Sequence, residues 1–269
     1  MYSTTAALVR GHDAPFEFHW PRETALLVVG AAGQLSGQHR LSHMDPVRPQ
    51  ELDRADLLPF DRWVAGNWHP RAAVASDVLV WGVGGAMLYA DLWHAFAVPG
   101  ADHDATRPLR PFLEDALILA QAFTWNSGLN LHVRAARVHP RPFVYGTRAP
   151  ASERSKREAA GSFYSGHASA AFLGAVYVSM VYPRRHPGFE HEAWLWAGSL
   201  TTATGVAALR VAAGKHYPSD VVAGAAAGSL VAWGFVHLHL KENNWWGWRA
   251  TPWFTTEGAP GLAVVKGIR

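Results

Sequence analysis

Six stretches of apolar and small residues punctuate the chain, separated by polar, charged or proline-bearing segments. Residues 116–133, 165–182, 193–209 and 221–240 contain no Asp, Glu, Lys or Arg. Two more lie upstream: Thr24 to Gly37, which is short, and Val78 to Val98, which Asp91 and His94 interrupt. The four uncharged stretches have about the 17–25 residues that a helix needs to cross a hydrocarbon core. They mix Ala, Gly, Ser and Thr with Leu and Val, a composition shared by core helices of soluble bundles. The pattern predicts an all-α helical bundle with about six transmembrane helices, with a soluble helical bundle as the competing reading. Gly224-x3-Gly228 permits close helix approach in either setting.

If successive helices run antiparallel, the end of 116–133, the start of 165–182, the end of 193–209 and the start of 221–240 fall on one face of the bundle. The chain then divides into an N-terminal extension, 1–70, with a possible first membrane helix, a helical domain, 71–240, and a tail, 241–269. Leu262, Ala263, Val264 and Val265 predict a short extended segment in that tail. Arg148 to Ala160, with Pro150, Ser152, Glu153 and Lys156, reads as a polar connector. Arg184, Arg185, His186, Lys241 and Arg249 lie at the opposite ends of the helices, which the positive-inside tendency assigns to the cytoplasm. Arg134, Arg137, Arg141, Arg148, Arg154, Lys156 and Arg157 crowd the other face, where some of the charge is explained by an anionic ligand.

Composition narrows the picture. At 269 residues with 49% hydrophobic and 17% charged residues, the chain can bury one large core, but a mean hydropathy of −0.03 is low for a multi-span protein. The absence of cysteine excludes disulfides, thiol catalysis and Cys-type zinc sites. Net charge is +3 with a pI near 9.3, and no basic run interleaved with aromatics points to nucleic acid. Met1-Tyr2-Ser3-Thr4 lacks a basic n-region followed by an apolar run, so no cleaved signal peptide is expected. Trp194, Trp196, Trp245, Trp246, Trp248 and Trp253 gather near helix ends, as aromatics do at a bilayer boundary and in packed cores. His12, Asp13, Glu17 and His19 fit a polar N-terminal segment better than a metal cluster. His237-x-His239 has the wrong spacing for paired helical ligands, and no metal or other cofactor is expected.

Three clusters carry the chemistry: Arg134-x6-Arg141-Pro142, Ser165-Gly166-His167 and Arg210-x5-His216-x3-Asp220. A phosphoryl group in transfer spreads negative charge over three equatorial oxygens, so a catalyst without a metal must aim fixed cations and donors at them. Arg141 and Arg210 each offer a planar, permanently charged fork, and Arg134 adds a third cation. Ser165 and the N–H groups of Gly166 and His167 supply neutral donors, more so if they open a helix. Of the two histidines, one attacks phosphorus as neutral imidazole and the other gives a proton to the leaving oxygen. His216 is the expected nucleophile, with Asp220 about one helical turn on to fix its tautomer, and His167 the expected acid.

In these residues the chain resembles the type 2 phosphatidic acid phosphatase and vanadium haloperoxidase superfamily, whose pattern reads Lys-x6-Arg-Pro, Pro-Ser-Gly-His and Ser-Arg-x5-His-x3-Asp. Arg134 stands at the lysine position, Tyr164 replaces the proline and Leu209 the serine, while Arg141-Pro142, Ser165-Gly166-His167, Arg210, His216 and Asp220 match. Ser-Gly-His alone arises often by chance; the three motifs in order are specific. The resemblance covers roughly 113–240, with weaker likeness at Phe60-Asp61-Arg62 and Ser76-Asp77. It implies a multi-pass membrane phosphatase with a helical fold, an outward-facing site, a phosphohistidine at His216, His167 as acid and Asp220 as orienting residue. A phospholipid or isoprenoid phosphate in a membrane is the implied substrate; phosphatidic acid, phosphatidylglycerol phosphate and an isoprenoid diphosphate all fit. A soluble acid phosphatase on small esters, a vanadate-dependent haloperoxidase and a non-catalytic phosphate-binding membrane protein are the alternatives. The chain is short for the haloperoxidase, and a mere binder needs neither nucleophile nor acid.

Overall fold

A computed structural model describes residues 15–49, 52–97, 109–136, 139–241, 248–254 and 260–266. His12, Asp13, Arg137, Trp245 and Trp246 lie outside these residues. Six long helices dominate: α1 (Trp20–Ser42), α2 (Pro70–Ala97), α3 (Leu109–Ala136), α5 (Gly166–Arg185), α6 (Glu192–Ala212) and α7 (Pro218–His239). Each contains, or all but coincides with, one of the six stretches, so the all-α reading holds for the body of the chain. A one-turn helix, α4 (Ala151–Arg154), lies in the connector between α3 and α5. The tail forms an antiparallel hairpin of β1 (Trp248–Phe254) and β2 (Pro260–Lys266), and β2 contains the expected extended segment.

Helix α5 is central, packing on α3, α6 and α7, while α1 lies along α3. The core runs through Ile118 and Ala122 of α3, Leu173, Val176, Tyr177 and Met180 of α5, and Ala232 and Val236 of α7. Backbone approach between α5 and α7 is very close. A Cβ on Gly224 would lie 2.5 Å from the Ser165 carbonyl oxygen, and one on Gly228 would lie 2.0 Å from that of Ser169. The Gly224-x3-Gly228 spacing is thus a backbone contact face. Gly228→Ala must separate the two helices, and we expect it to cost about 2 kcal/mol or more of stability, read as a lowered melting temperature.

At the end of the bundle away from the three motifs, buried polar groups tie the helices together. The Glu23 carboxylate accepts from Gln121 Nε2 at 3.0 Å, meets His239 Nε2 at 2.8 Å and accepts from Arg22 Nε at 2.9 Å. His239 therefore ties α7 to the α1 carboxylate that Gln121 of α3 also bonds, while His237 Nδ1 turns back to the Trp233 carbonyl, so the two histidines share no ligand. No group of three or more His, Asp or Glu able to hold a metal occurs among the described residues. Arg185 pairs with Asp115 at 2.6 Å and Glu114 at 3.0 Å. Its charge is balanced inside the fold and counts for little in the positive-inside comparison.

Among the described residues, α7 is the one helix long and apolar enough to cross a membrane. Its outward face carries Val222, Leu230 and Trp233; exposed Val74, Val78 and Trp81 form a similar stripe on α2 at helical spacing.

Candidate active site

All three motifs sit at helix termini, and local backbone rules explain why. Ser165 is the N-cap of α5, and its Oγ accepts from the Ala168 N–H at 3.3 Å. Gly166 and His167 thus fill the first turn, where N–H groups have no intrahelical acceptor and favour an anion. A Cβ on Gly166 would lie 2.9 Å from Asn130 Oδ1, so α3 and this turn meet too closely for a larger residue.

The third motif is built on a helix stop. Gly214 adopts φ +70° just past the end of α6. Its N–H donates to the Val211 carbonyl at 2.9 Å, and the Lys215 N–H donates to that of Arg210 at 3.1 Å. This is a Schellman termination, which glycine permits because a left-handed residue without Cβ carries no steric penalty. The reversal folds His216 back toward Arg210, and the five intervening residues are what the turn requires. Helix α7 then starts with Pro218, and Asp220 in its first turn reaches back to accept from the Tyr217 N–H at 3.0 Å. His216 precedes the helix, so the expected one-turn relation to Asp220 arises from an N-terminal capping loop.

Loops brace these ends against each other. The segment 139–141 pairs with 159–162 through His139 N to Ala160 O at 2.8 Å, Arg141 N to Ala159 O at 2.9 Å and Ser162 N to His139 O at 2.8 Å. The Phe143 N–H donates to Gly214 O at 3.1 Å, joining the first motif to the third. The Ser165 N–H donates to Asp220 O at 3.0 Å, joining the second to the third.

His216 is buried, and its Nδ1 lies 3.5 Å from Asp220 Oδ2 and 3.4 Å from Ser162 Oγ. Ser162 in turn donates to the same Asp220 oxygen at 2.5 Å. His139 Nε2 approaches the other carboxylate oxygen at 3.7 Å. Burial first, and then the charges of Arg141 and Arg210, push the His216 imidazole down to about 3 against the opposing pull of Asp220. It is neutral at ordinary pH. His167 Nε2 meets Asp77 Oδ1 at 2.8 Å, and Arg210 donates to that same oxygen at 3.2 Å and to Ser76 Oγ at 3.1 Å. Arg134 donates through Nε to the Gly161 carbonyl at 2.9 Å.

The Nε atoms of Arg141 and Arg210 are both buried without a hydrogen-bond partner, but Arg210 is held by Ser76 and Asp77 and Arg134 by the Gly161 carbonyl. Among the described residues the Arg141 guanidinium has neither a hydrogen bond nor an ion pair. Burial, reinforced by Arg134 and Arg210, lowers it to about 9. An unpaired cation so placed is costly unless an anion joins it.

The eight residues singled out in the sequence, Arg134, Arg141, Ser165, Gly166, His167, Arg210, His216 and Asp220, therefore gather at one end of the bundle. Sequence reasoning missed Ser162 and His139, which no motif position marks, and gave Asp77 only faint weight. Ser162→Ala removes the hydroxyl that bridges His216 and Asp220; we expect kcat to fall roughly tenfold to a hundredfold, with KM little changed, measured by steady-state turnover.

No curated protein and no solved structure matched the chain. The sequence pattern of the PAP2 superfamily matches residues 116–244, a span holding every motif from Arg134 to Asp220. Residues 116–244 are thus a PAP2 superfamily domain.

Proposed function

We propose that this protein is a membrane-embedded, metal-independent phosphatase that hydrolyses a phosphate monoester or diphosphate, of a lipid, through a phosphohistidine at His216. Neutral His216 attacks phosphorus, the bond to the leaving oxygen breaks, and His167 supplies the proton to that oxygen. Water then attacks the phosphohistidine with His167 accepting its proton, and inorganic phosphate leaves. Asp220, with Ser162, holds the His216 ring and favours the cationic phosphoimidazole. Arg134, Arg141, Arg210, Ser165 and the first N–H groups of α5 receive the equatorial oxygens.

The observation that carries this reading is the unpaired, buried Arg141 guanidinium beside a neutral, carboxylate-backed His216. A cation without a protein partner needs an anionic ligand, and an imidazole kept neutral beside arginines can attack it. The apolar outward stripes of α2 and α7 support a membrane setting. A site at the helix ends can then take a headgroup while the acyl or isoprenoid chain stays in lipid. The basic residues at the opposite helix ends favour an extracytoplasmic site, although Arg185 contributes little to that argument.

Phosphate release from purified, detergent-solubilised protein in EDTA tests the proposal, with phosphatidic acid, an isoprenoid diphosphate and a small aryl phosphate as substrates. Release that is faster on lipid substrates is the expected result. No release from any of them, with vanadate still bound, would leave an anion binder or a haloperoxidase.

A further inference from the structure

Lys215 lies inside the third motif, immediately before His216, at a position the superfamily pattern leaves open. Its backbone N–H closes the Schellman turn, so the side chain starts from a fixed point. The Nζ sits 4.5 Å from the Trp68 ring centre and 4.8 Å from that of Phe143, and these two rings pack edge to face at 5.3 Å. The nearest carboxylate is Glu153 on α4, at 3.9 Å, which is more tightly held by Lys156 at 2.5 Å. Burial and the neighbouring charges of Arg141 and Arg210 pull the ammonium down to about 8.

Three arginines already match one phosphoryl group. A fourth cation, on the residue next to His216 and near enough for Arg141 and Arg210 to disfavour its charge, adds to the repulsion in the site without substrate, and aromatic faces return only part of that cost. Packing against Trp68 and Phe143 alone needs no charge; a methionine would fill the same space. The surplus charge makes sense if the substrate brings a second anionic group.

We propose that Lys215, presented by Trp68 and Phe143, binds a second phosphate beside the reacting phosphoryl group, with Glu153 as its internal counter-ion until substrate arrives, so that the protein prefers diphosphates to monophosphates. This rests on the phosphatase reading above. His216 attacks the terminal phosphorus, the bridging oxygen leaves on the inner phosphate, and Lys215 neutralises charge on that departing monophosphate.

The test compares kcat/KM for an isoprenyl diphosphate and the isoprenyl monophosphate of equal chain length, in the same micelles, for the wild type, Lys215→Gln, Lys215→Arg and Glu153→Gln. Lys215→Gln should lower the diphosphate-to-monophosphate ratio about tenfold or more, the usual range for losing a charged hydrogen-bond donor. Lys215→Arg should keep most of the ratio. Glu153→Gln should raise it a few-fold, by removing the competing carboxylate, and it carries the test independently if Lys215→Gln fails to fold. In the wild type the ratio should decline above about pH 8, as Lys215 loses its proton. A ratio unchanged in both Lys215→Gln and Glu153→Gln overturns the proposal while leaving the phosphatase intact. Absence of His216-dependent release from either substrate overturns both.

Discussion

His216→Ala is expected to lower phosphate release by about four orders of magnitude or more on every substrate, because no other group in the site replaces a nucleophile that forms the covalent intermediate. The structure gives this variant a clean reading. His216 occupies a loop before α7, and among the described residues the polar partners of its ring are Asp220 and Ser162 through Nδ1; truncation leaves a cavity where the buried ring stood but keeps the cap of α7, which Asp220 makes with the Tyr217 N–H. The variant should therefore retain vanadate binding through the arginines. Quenching wild type during turnover in alkaline denaturant should trap a base-stable, acid-labile phosphoenzyme that His216→Ala does not form. The pH profile adds a second check. Because burial and the arginines hold His216 near 3, its neutral form prevails above that pH, and an acidic limb of kcat/KM at pH 5–6 must come from another group. Near-native turnover by purified His216→Ala would remove the phosphohistidine mechanism altogether.

Arg141→Ala should produce the second large effect, with a signature that separates binding from architecture. Loss of one preorganised cation from the transition state lowers kcat/KM by about two to three orders of magnitude. Arg141→Lys should recover only part of this, since an ammonium cannot present a two-pronged donor. Stability should move the other way. In the ligand-free protein the buried Arg141 Nε has no hydrogen-bond partner and its charge faces Arg134 and Arg210. Removing that unpaired charge relieves repulsion, so the variant should melt at a higher temperature than wild type without phosphate. Vanadate or phosphate should then stabilise the wild type and leave Arg141→Ala nearly unmoved, since only a ligand bound to the native state raises its melting temperature. A variant that melts lower and still gains stability with vanadate would show that Arg141 is structural.

Much of the site was legible because helix ends write themselves into sequence. A helix opening at Ser165-Gly166-His167 was raised from the motif itself; Gly214 as a stop and Pro218 as a start are local devices of the same kind, set by neighbours within a few residues, that went unread. They place Gly166, Arg210 and Asp220 at defined positions of their helices. The close approach of α5 and α7 was equally readable, because two glycines four apart leave one helical face without side chains. By contrast, Ser162 lies in a loop, three residues before the second motif, and acquires its role only because the 139–141 and 159–162 segments pair. Asp77 gained its contacts to His167 and Arg210 through the packing of α2 beside α5 and α6. Lys215 was visible as a residue but not as a surplus cation, since Trp68 and Glu153 lie far away in sequence.

The sequence by itself determined the six helices, the spacing that sends three motifs to one end of the bundle, and the chemical inventory of three arginines, two histidines and a carboxylate. These are properties of periodicity, capping and residue type, all of short range. Tertiary structure alone decided which polar atoms meet: Asp220 shared by His216, Ser162 and Tyr217, Arg210 tied to Asp77 while Arg141 stays unpaired, and Arg185 balanced by Asp115 and Glu114. Those outcomes depend on ångström-scale distances across loops and between helices remote in sequence. Burial then sets the energetic consequence of each pairing, holding His216 neutral and Arg141 costly without an anion.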